Sequence, residues 1–503
     1  TQSTWEEPAM RKDEFLKEIE WVANGVANIN RNQFPRDFVF GVATSAYQIE
    51  GGCNEGNKGP SIWDAFTHSS GTIRDGSNGD VALNHYNLYK EDIEMMAQLG
   101  FDAYRFSISW SRIFPDGKGT KVNEEGVAFY NRIIDCLLEN GIQPCATLYH
   151  WDLPLALEES FGGWLSKEIV KHFAAYADTC FDMFGDRVKT WITINEPMQT
   201  SINGYLFGTF APGRRENPTV EPYIVAHHQI LAHSAAFSVY NSKYKAMQGG
   251  KVGIAVDCEW AEANSNKIED RQATARRIEF QLGWYLDPLY FGDYPLSMRE
   301  AVGEKLPKFS EEERKEVSNA VDFIGLNHYT SRFVAHAPNS EHEGSYYEAQ
   351  ELDIIAAYEN GEEIGRRAAS CWLYRCPWGI RNALNYLAKR YNDPHIYVTE
   401  NGMDDEDTGA EMSELLDDQT RIEYYKGYLT GVANAIQDGV QVKGYFAWSL
   451  LDNFEWAEGY TKRFGLVYVD YKNGLSRYPK SSAYWFSRFL TGILSEFPQP
   501  DSL

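Results

Sequence analysis

Eight short apolar runs, separated by longer stretches of helical periodicity, constrain the fold of this chain more than any other feature. The runs cover residues 38–44, 103–109, 143–150, 190–197, 251–257, 323–329, 395–402 and 442–450. Helical spacing of apolar side chains fills the intervals, for example residues 167–184, 223–244 and 421–436. Apolar strands that alternate with helices predict a parallel sheet covered by helices. Eight strands also close a (β/α)8 barrel, so we predict an α/β TIM barrel with long loops at the C-terminal face of the strands.

The chain has 503 residues, a length that one barrel with long loops can reach. No shift in composition marks a second domain, so we assign residues 34–495 to a single barrel domain. Residues 1–33 form a charged extension whose apolar side chains between 15 and 26 predict one helix. That helix either packs on the main body or serves as a partner-binding element. Residues 496–503 form a tail.

The interval from residue 329 to residue 395 is longer than the others between predicted strands. Its acidic, glycine-bearing stretch at residues 339–347 predicts irregular structure. Loops of this size are usually functional or disordered. We therefore predict a rim or lid insertion beside the strand ends.

The composition excludes some partners and indicates a compartment. The net charge is −25 and no polybasic run occurs, which argues against binding to nucleic acids or anionic membranes. The sequence contains no stretch of about 20 apolar residues, so we predict no membrane span. The seven cysteines are scattered without a C-x-x-C pair, and no glycosylation sequon or signal-peptide pattern is present. We expect a cytoplasmic protein, with a secreted or vacuolar one as the alternative.

Polar residues concentrate at the C-terminal ends of the predicted strands. They are Gln48 and Glu50 after the first, Arg105 in the second, His150, Trp151 and Asp152 at the third, Asn195 and Glu196 at the fourth, Asn327 and Tyr329 at the sixth, Glu400 at the seventh and Trp448 at the eighth. The C-terminal strand ends form the catalytic face of such barrels. We therefore expect these side chains to share one pocket.

Two of these ends carry the same pattern. Residues 190–197 and 396–402 are apolar, β-branched runs that end in a Glu beside an Asn and then a Pro or Gly. A carboxylate at the end of a buried strand is costly unless it is used or paired. Two carboxylates that face each other in one pocket can cleave a glycosidic bond. We predict Glu196 and Glu400 as this pair, about 5 Å apart if the reaction retains configuration.

The two carboxyl groups need different surroundings for this chemistry. The general acid requires a pKa raised by burial or by its partner's charge, and the nucleophile requires donors that keep it ionised. Arg105 and Tyr329 are candidate donors to Glu400, and Asn195 is placed to bind the hydroxyl beside the reacting carbon. When each residue is considered alone, a structural role is the alternative. Arg105 could form a buried ion pair, and His150 could be a core histidine whose hydrogen bonds are made within the protein.

The segment just beyond the eighth strand predicts a sugar-binding surface. Trp448 and Trp456 flank Glu455 in residues 448–456. Sugars present hydroxyl edges to polar groups and C–H faces to aromatic rings. Glu455 can accept hydrogen bonds from two hydroxyls while the two indoles form a floor or wall. The alternative is a packed turn with Glu455 as a surface charge.

Together these segments resemble glycoside hydrolase family 1, with a likeness to plant β-glucosidases of the cytosolic type. Residues 193–197 (TINEP) and 398–402 (VTENG) resemble its two signature motifs, and residues 38–51 resemble its N-terminal signature. Further matches are residues 104–110, 148–152, 325–329 and 448–456, so that the likeness spans about residues 34–490.

The resemblance implies a (β/α)8 barrel that cleaves glycosides with retention, through a covalent glycosyl-enzyme and without a cofactor or metal. By matching motifs, Glu196 is implied as acid/base and Glu400 as nucleophile, with Arg105 supporting Glu400. The implied substrate-binding residues are Gln48, His150, Asn195, Asn327, Tyr329, Trp372, Trp448, Glu455 and Trp456. Among them, Trp372 resembles the aromatic residue that lines the aglycone slot.

Comparison with other branches of the family indicates which class of glycoside the chain cleaves. Plant thioglucosidases typically have Gln where this chain has Glu196, which favours O-glycosides here. Phospho-glycosidases have Ser where this chain has Glu455, which favours an unphosphorylated sugar. Residues 211–218 lack the cysteine of the disulfide-closed loop in many secreted plant members, which supports the cytoplasmic expectation.

We predict a retaining β-glucosidase that hydrolyses the terminal β-D-glucosyl residue of small-molecule glucosides with apolar or aromatic aglycones. Some tolerance for β-D-galactosides or β-D-fucosides is expected. A transglucosidase that uses the same intermediate is the alternative enzyme. A catalytically silent sugar-binding protein is the alternative outside enzymes, although both Glu residues are present. The sequence leaves open whether the protein is a monomer or a homo-oligomer.

Overall fold

A computed structural model describes residues 29–338 and 344–492. The predicted N-terminal helix at residues 15–26, residues 339–343 of the predicted irregular stretch and the tail at 496–503 lie outside these ranges. Within the described ranges, no helix combines the length and apolarity needed to span a bilayer.

Eight parallel strands close into a barrel, as the sequence predicts. They are β1 (Val39–Ala43), β2 (Ala103–Ser107), β3 (Gln143–Tyr149), β4 (Thr190–Asn195), β5 (Lys251–Asp257), β6 (Ile324–Asn327), β7 (Ile396–Asn401) and β8 (Val442–Trp448). Neighbours in sequence are neighbours in the barrel, and β1 closes it by pairing with both β2 and β8. Each predicted strand is present, with ends within two residues of the prediction.

Helices cover the outside of the barrel and cross between its strands. The α-helices are Ala46–Ile49, Ile62–His68, His85–Leu99, Trp110–Ile113, Glu124–Glu139, Leu155–Phe161, Ile169–Phe184, Pro197–Tyr205, Glu221–Lys243, Lys245–Gln248, Ile268–Ile278, Trp284–Phe291, Leu296–Val302, Glu311–Val317, Gly379–Arg390, Met412–Leu416, Gln419–Gln437 and Ser481–Thr491. A π-helical turn, Glu279–Gly283, joins two of them. Short 3-10 turns are Arg31–Gln33, Gly163–Leu165, Gly303–Lys305, Glu348–Gln350 and Trp456–Glu458.

The long interval before β7 is more regular than predicted. Ser331–His336 pairs in parallel with Trp260–Ala263 and antiparallel with Leu352–Ile355, which makes a three-stranded sheet outside the barrel. This pairing satisfies backbone groups that an irregular loop would leave to water. Two smaller sheets pair Asp405–Glu406 with Lys462–Arg463 and Val467–Asp470 with Ser476–Pro479.

The strand register shifts next to both predicted catalytic residues. The β4–β5 pairing shifts between Ile192 and Asn195, and the β7–β6 pairing shifts between Val398 and Glu400. Such irregularities bend a strand and re-aim its side chains. Both therefore occur where a strand end must present a carboxyl group to the mouth of the barrel.

Candidate active site

A cavity of about 420 Å³ opens at the C-terminal ends of the barrel strands. Glu196 and Glu400 both line it, although they lie on β-strand ends far apart in sequence. The predicted residues that also line it are His150, Asn327, Tyr329, Trp372, Trp448, Glu455 and Trp456. A cavity of this volume suits a small molecule.

Three donors hold the carboxylate of Glu400. Arg105 Nη1 and Asn327 Nδ2 donate to its Oε2 over 2.7 and 2.8 Å, and the Tyr329 hydroxyl donates to its Oε1 over 2.6 Å. Burial and the negative charge of Glu400 raise the pKa of Tyr329 well above its ordinary value, so this hydroxyl keeps its proton. The predicted contacts of Arg105 and Tyr329 with Glu400 are thus present.

Asn195 and Arg105 form a scaffold behind the cavity wall. Asn195 Oδ1 accepts from Arg105 Nη2 over 2.6 Å and from Asn327 Nδ2 over 3.0 Å. Its amide nitrogen lies 3.1 Å from His150 Nε2. Arg105 and Asn195 are fully buried and neither lines the cavity. Direct binding of a sugar hydroxyl by Asn195 remains a prediction, and in this structure the amide organises its neighbours.

The backbone at Glu196 turns sharply. Its φ of +43° lies in the left-handed region, and it directly precedes the helix Pro197–Tyr205. The Glu196 amide donates to Ala255 O of β5 over 2.8 Å, which ties the turn to the neighbouring strand. A non-glycine residue with this φ is strained and persists only where its surroundings fix it. This turn ends β4 two residues before the end of the predicted strand.

The surroundings of Glu196 favour its protonated form. Burial, followed by the charges of Asp257 and Glu400, raises the pKa of Glu196 well above its ordinary value, and Arg105 only partly opposes this. Among the described residues, the one side-chain donor to Glu196 is Asn195 Nδ2, at 3.4 Å from Oε2. The two predicted catalytic carboxyl groups therefore differ: Glu400 accepts hydrogen bonds from three donors, whereas Glu196 has acidic neighbours.

Two polar atoms in the cavity wall are matched to a hydroxyl group. Burial and the charge of Arg105 lower the pKa of His150 well below its ordinary value, so the imidazole is neutral. Because Asn195 Nδ2 can only donate to Nε2, the proton of His150 lies on Nδ1. Nδ1 of His150 and Oε2 of Glu455 are buried without a partner among the described residues. The first donates to a bound hydroxyl. Burial raises the pKa of Glu455 well above its ordinary value, and once this carboxyl group is ionised the second accepts from a hydroxyl.

Indole rings enclose the His150 end of the cavity. The imidazole lies nearly parallel to the rings of Trp448 and Trp456, at centroid distances of 5.9 Å each. Trp151, which the sequence analysis noted but did not assign to binding, contacts Trp456 at 4.5 Å and also lines the cavity. This wall offers the flat apolar surface expected for a sugar ring.

Gln48, like Asn195, is a predicted binding residue that the structure does not place in the cavity wall. It is fully buried, and its Nε2 donates to Asn453 Oδ1 over 3.1 Å and to Phe454 O over 2.8 Å. Its Oε1 accepts from Ser45 Oγ over 2.5 Å. Gln48 therefore ties β1 to the segment before Glu455, and its sugar contact remains a prediction.

Trp372, which the family resemblance implies for the aglycone slot, lines the cavity, and its role there remains a prediction. It is 37% exposed, and its ring meets the edge of Tyr329 at a centroid distance of 5.6 Å. Phe464 also packs against Tyr329, at a centroid distance of 6.0 Å. Tyr347, which lines the cavity, stacks with exposed Phe207 at 6.0 Å.

The sequence analysis missed several wall residues. They include Gln199, Asn203, Phe210, Asp257, Arg277, Tyr347, Ser370 and Phe464. Asp257 is the clearest omission, because it is the last residue of β5 and the strand-end rule that marked the other positions applies equally to it. Most of the others lie in loops or on the first turns of helices, where no periodic pattern points to the cavity.

Comparison with known proteins shows the family of the chain. The family model for glycosyl hydrolase family 1 matches residues 30–492. Beta-glucosidase 42 of Arabidopsis thaliana is 66% identical over 465 residues, which are 92% of this chain and 95% of that protein. Beta-glucosidase 4 of Oryza sativa subsp. japonica is 62% identical over 467 residues, covering 93% and 96%.

Solved structures show the same likeness. The crystal structure of the rice Os3BGlu6 β-glucosidase superposes with a TM-score of 0.91 at 51% identity, covering 92% of this chain and 100% of that one. A mutant of that rice enzyme in a covalent complex with Glc superposes with a TM-score of 0.90 over the same share of each chain. The chain therefore belongs to glycosyl hydrolase family 1, alongside the plant β-glucosidases.

Proposed function

We propose that this protein is a retaining β-glucosidase that releases the terminal β-D-glucosyl residue of small-molecule β-glucosides. The observation that carries the proposal is the contrast between two carboxyl groups in one cavity: Glu400 is held by three donors, while the pKa of Glu196 is raised well above its ordinary value. That contrast supplies a nucleophile and a general acid at neutral pH.

In the first step, a carboxylate oxygen of Glu400 attacks the anomeric carbon while Glu196 gives its proton to the glycosidic oxygen. The carbon–oxygen bond to the aglycone breaks, the aglycone leaves as a neutral alcohol, and a glucosyl ester forms on Glu400. Arg105 and Asn327 continue to hold the scaffold through Asn195, so the carboxyl group keeps its position as its charge is consumed.

In the second step, Glu196 is ionised and takes a proton from an incoming water. The water oxygen attacks the anomeric carbon, the ester bond breaks, and Glu400 leaves as a carboxylate. Glucose departs with its original β configuration because two inversions have occurred. Esterification of Glu400 removes one of the negative charges that raise the pKa of Glu196, which favours its role as base in this step.

The end of the cavity around His150 binds the sugar. Its Nδ1–H donates to a hydroxyl oxygen, and Glu455 Oε2 accepts from a hydroxyl hydrogen. The Trp448 and Trp456 rings beside His150 supply the apolar faces. At the mouth, half-exposed Trp372 supports the proposal that the aglycone is apolar or aromatic.

The test is the stereochemistry of the first product. Proton NMR of the reaction with 4-nitrophenyl β-D-glucoside is expected to show β-glucose first, followed by slow mutarotation. First formation of α-glucose would exclude the two-step mechanism, and the absence of glucose release would exclude the activity.

We also propose a cytoplasmic location. All seven cysteines are free, and Cys371 is an exposed thiol, which fits a reducing compartment. Imaging of a fluorescent fusion of the native-length protein in plant cells tests this: signal confined to the vacuole or the cell wall would contradict it.

A further inference from the structure

The main chain that carries Tyr329 has already left the barrel sheet. β6 ends at Asn327, and residues 328–330 lie between it and the strand Ser331–His336. The Tyr329 hydroxyl must nevertheless stay 2.6 Å from Oε1 of Glu400. Because the strand pairing of β6 stops two residues earlier, other groups have to fix the backbone at this position.

Two tyrosines of one helix hold the main-chain carbonyl of Tyr329. The hydroxyls of Tyr424 and Tyr428 both donate to Tyr329 O, over 2.6 and 2.8 Å. The two residues are four apart on the helix Gln419–Gln437, so their side chains are neighbours on its surface, and their rings stack at a centroid distance of 4.0 Å. One carbonyl oxygen therefore uses both of its lone pairs on this helix.

Each of these hydroxyls also accepts a hydrogen bond, which fixes the direction in which it donates. Asn401 Nδ2 donates to the Tyr424 hydroxyl over 3.1 Å. The Cys376 amide donates to the Tyr428 hydroxyl over 2.9 Å. Burial raises the pKa of both tyrosines well above the ordinary value, so the hydroxyls keep their protons. Since Asn401 directly follows Glu400, one of these hydrogen-bond chains begins beside the predicted nucleophile.

The orientation of the Tyr329 peptide group decides where its phenol points. Within the described part of the chain, that phenol is the one side-chain donor to Oε1 of Glu400, whereas Oε2 has two donors, Arg105 and Asn327. A shift of the Tyr329 backbone would therefore leave Oε1 without its donor. Misplacement of a reacting group by about 1 Å can cost about 10²-fold in rate.

We propose that Tyr424 and Tyr428 are positioning residues for the nucleophile. They hold the carbonyl of Tyr329, which keeps the Tyr329 hydroxyl on Glu400. The inference rests on the proposed function, because it requires Glu400 to act as the nucleophile. Both tyrosines are buried and neither lines the cavity, so they influence the reaction only through Tyr329.

A double-mutant cycle with Tyr329 tests this route. Tyr424→Phe and Tyr428→Phe are made singly and together, both in the wild type and in Tyr329→Phe, which lacks the hydroxyl on Glu400. The readout is kcat/KM for 2,4-dinitrophenyl β-D-glucoside. Active sites are counted from the burst of 2,4-dinitrophenolate that the corresponding 2-deoxy-2-fluoro-glucoside releases, so an unfolded fraction does not affect the result.

The effects are expected to depend on whether the Tyr329 hydroxyl is present. In the wild type, each single change should lower kcat/KM by about threefold, because the other tyrosine still holds the carbonyl. The double change should lower it by about 30-fold or more. In Tyr329→Phe, the same double change should cost less than about threefold, because the hydroxyl that the two tyrosines position is gone.

Tyr425→Phe is the matched control. It removes a buried hydroxyl from the same helix, but this hydroxyl donates to Trp448 O over 3.1 Å. Its effect on kcat/KM is expected to agree within about twofold between the wild type and Tyr329→Phe. The melting temperature should fall equally in both backgrounds for each tyrosine change, because Tyr329→Phe keeps the carbonyl and the same hydrogen bonds are lost.

An equal loss of kcat/KM from the double change in both backgrounds, or no loss in the wild type, would overturn the inference. Full activity of Tyr329→Phe would overturn it as well. A loss in Tyr425→Phe that disappears in Tyr329→Phe would do the same, because the coupling would then not be specific to the Tyr329 carbonyl. If the double variant does not fold, the single variants are compared between the two backgrounds by the same criterion.

Hydrolysis of 4-nitrophenyl β-D-glucoside by the wild type separates this inference from the proposed function. If the wild type cleaves that glucoside and the two tyrosines show no coupling to Tyr329, only this inference fails. If the wild type does not cleave it, the proposed function fails and this inference fails with it.

Discussion

The ends of β4 and β7 have nearly the same sequence pattern but opposite physical surroundings. Each is an apolar run that ends in Glu beside Asn. At β7, Arg105, Asn327 and Tyr329 donate to the carboxylate of Glu400. At β4, burial and two neighbouring acids raise the pKa of Glu196. The comparison teaches that the roles of the two carboxyl groups are set by what surrounds them, and the motif alone does not distinguish them.

The strongest test of the comparison removes the charge at the β7 end. Glu400→Gln keeps the shape of the side chain but removes the nucleophile, so kcat is expected to fall by about 10⁴-fold or more on every glucoside. Steady-state kinetics on 4-nitrophenyl β-D-glucoside measures the loss. The control is far-UV circular dichroism and the melting curve, which should show a folded protein. Activity near the wild-type level would exclude Glu400 as the nucleophile.

The corresponding change at the β4 end is expected to depend on the substrate. Glu196→Gln removes the general acid, so a glucoside with a poor leaving group should lose about 10²- to 10⁴-fold in kcat/KM. A 2,4-dinitrophenyl glucoside should lose far less in the first step, because that phenolate departs without a proton. Burst kinetics separate the two steps. Equal first-step losses for both leaving groups would remove Glu196 from the role of acid.

A change at the mouth sharpens the comparison by leaving both carboxyl groups in place. Trp372→Ala is expected to lower kcat/KM for aromatic glucosides by about tenfold relative to methyl β-D-glucoside, because an aromatic contact is lost. Competitive inhibition by glucose should change little. The measurement is kcat/KM for a panel of glucosides with different aglycones. If the relative values of kcat/KM across the panel do not change, Trp372 lies outside the aglycone slot.

The smallest expected effect tests why the pKa of Glu196 is raised. Activity requires the proton on Glu196, so it declines as the pH rises through the pKa of that group. Asp257→Asn removes a negative charge that raises this pKa, so the alkaline limb of kcat/KM should move to lower pH by about one pH unit. The profile is recorded with 4-nitrophenyl β-D-glucoside. An alkaline limb that stays in place, or moves upward, would show that Asp257 does not act on Glu196.

The barrel could be predicted because its strands are buried on both faces and read as apolar runs bounded by turns. Their ends were less predictable, since they depend on local backbone turns. The strand ending at Asn195 was expected to continue to Pro197, but the left-handed φ of Glu196 stops it. The sheet that contains Ser331–His336 was missed because its partner strand, Trp260–Ala263, lies in a different loop.

The same limits apply to the site. Strand ends reveal Glu196, Glu400 and Asn327 because topology alone brings them to one mouth. The burial of Gln48 behind Asn453 depends on how two loops pack, which no pattern encodes. The Gln199–Asp257 contact joins a helix face to a strand end, and the sequence gives no sign that the two meet.

The most direct test of the assigned roles is to trap the intermediate. The enzyme is incubated with 2,4-dinitrophenyl 2-deoxy-2-fluoro-β-D-glucoside, whose fluorine slows hydrolysis of the ester more than its formation, and peptides are mapped by mass spectrometry. We predict a single fluoroglucosyl adduct on the peptide that contains Glu400, with loss of activity in proportion to labelling. An adduct on Glu196 or elsewhere, or turnover without any adduct, would contradict the assignment of the nucleophile.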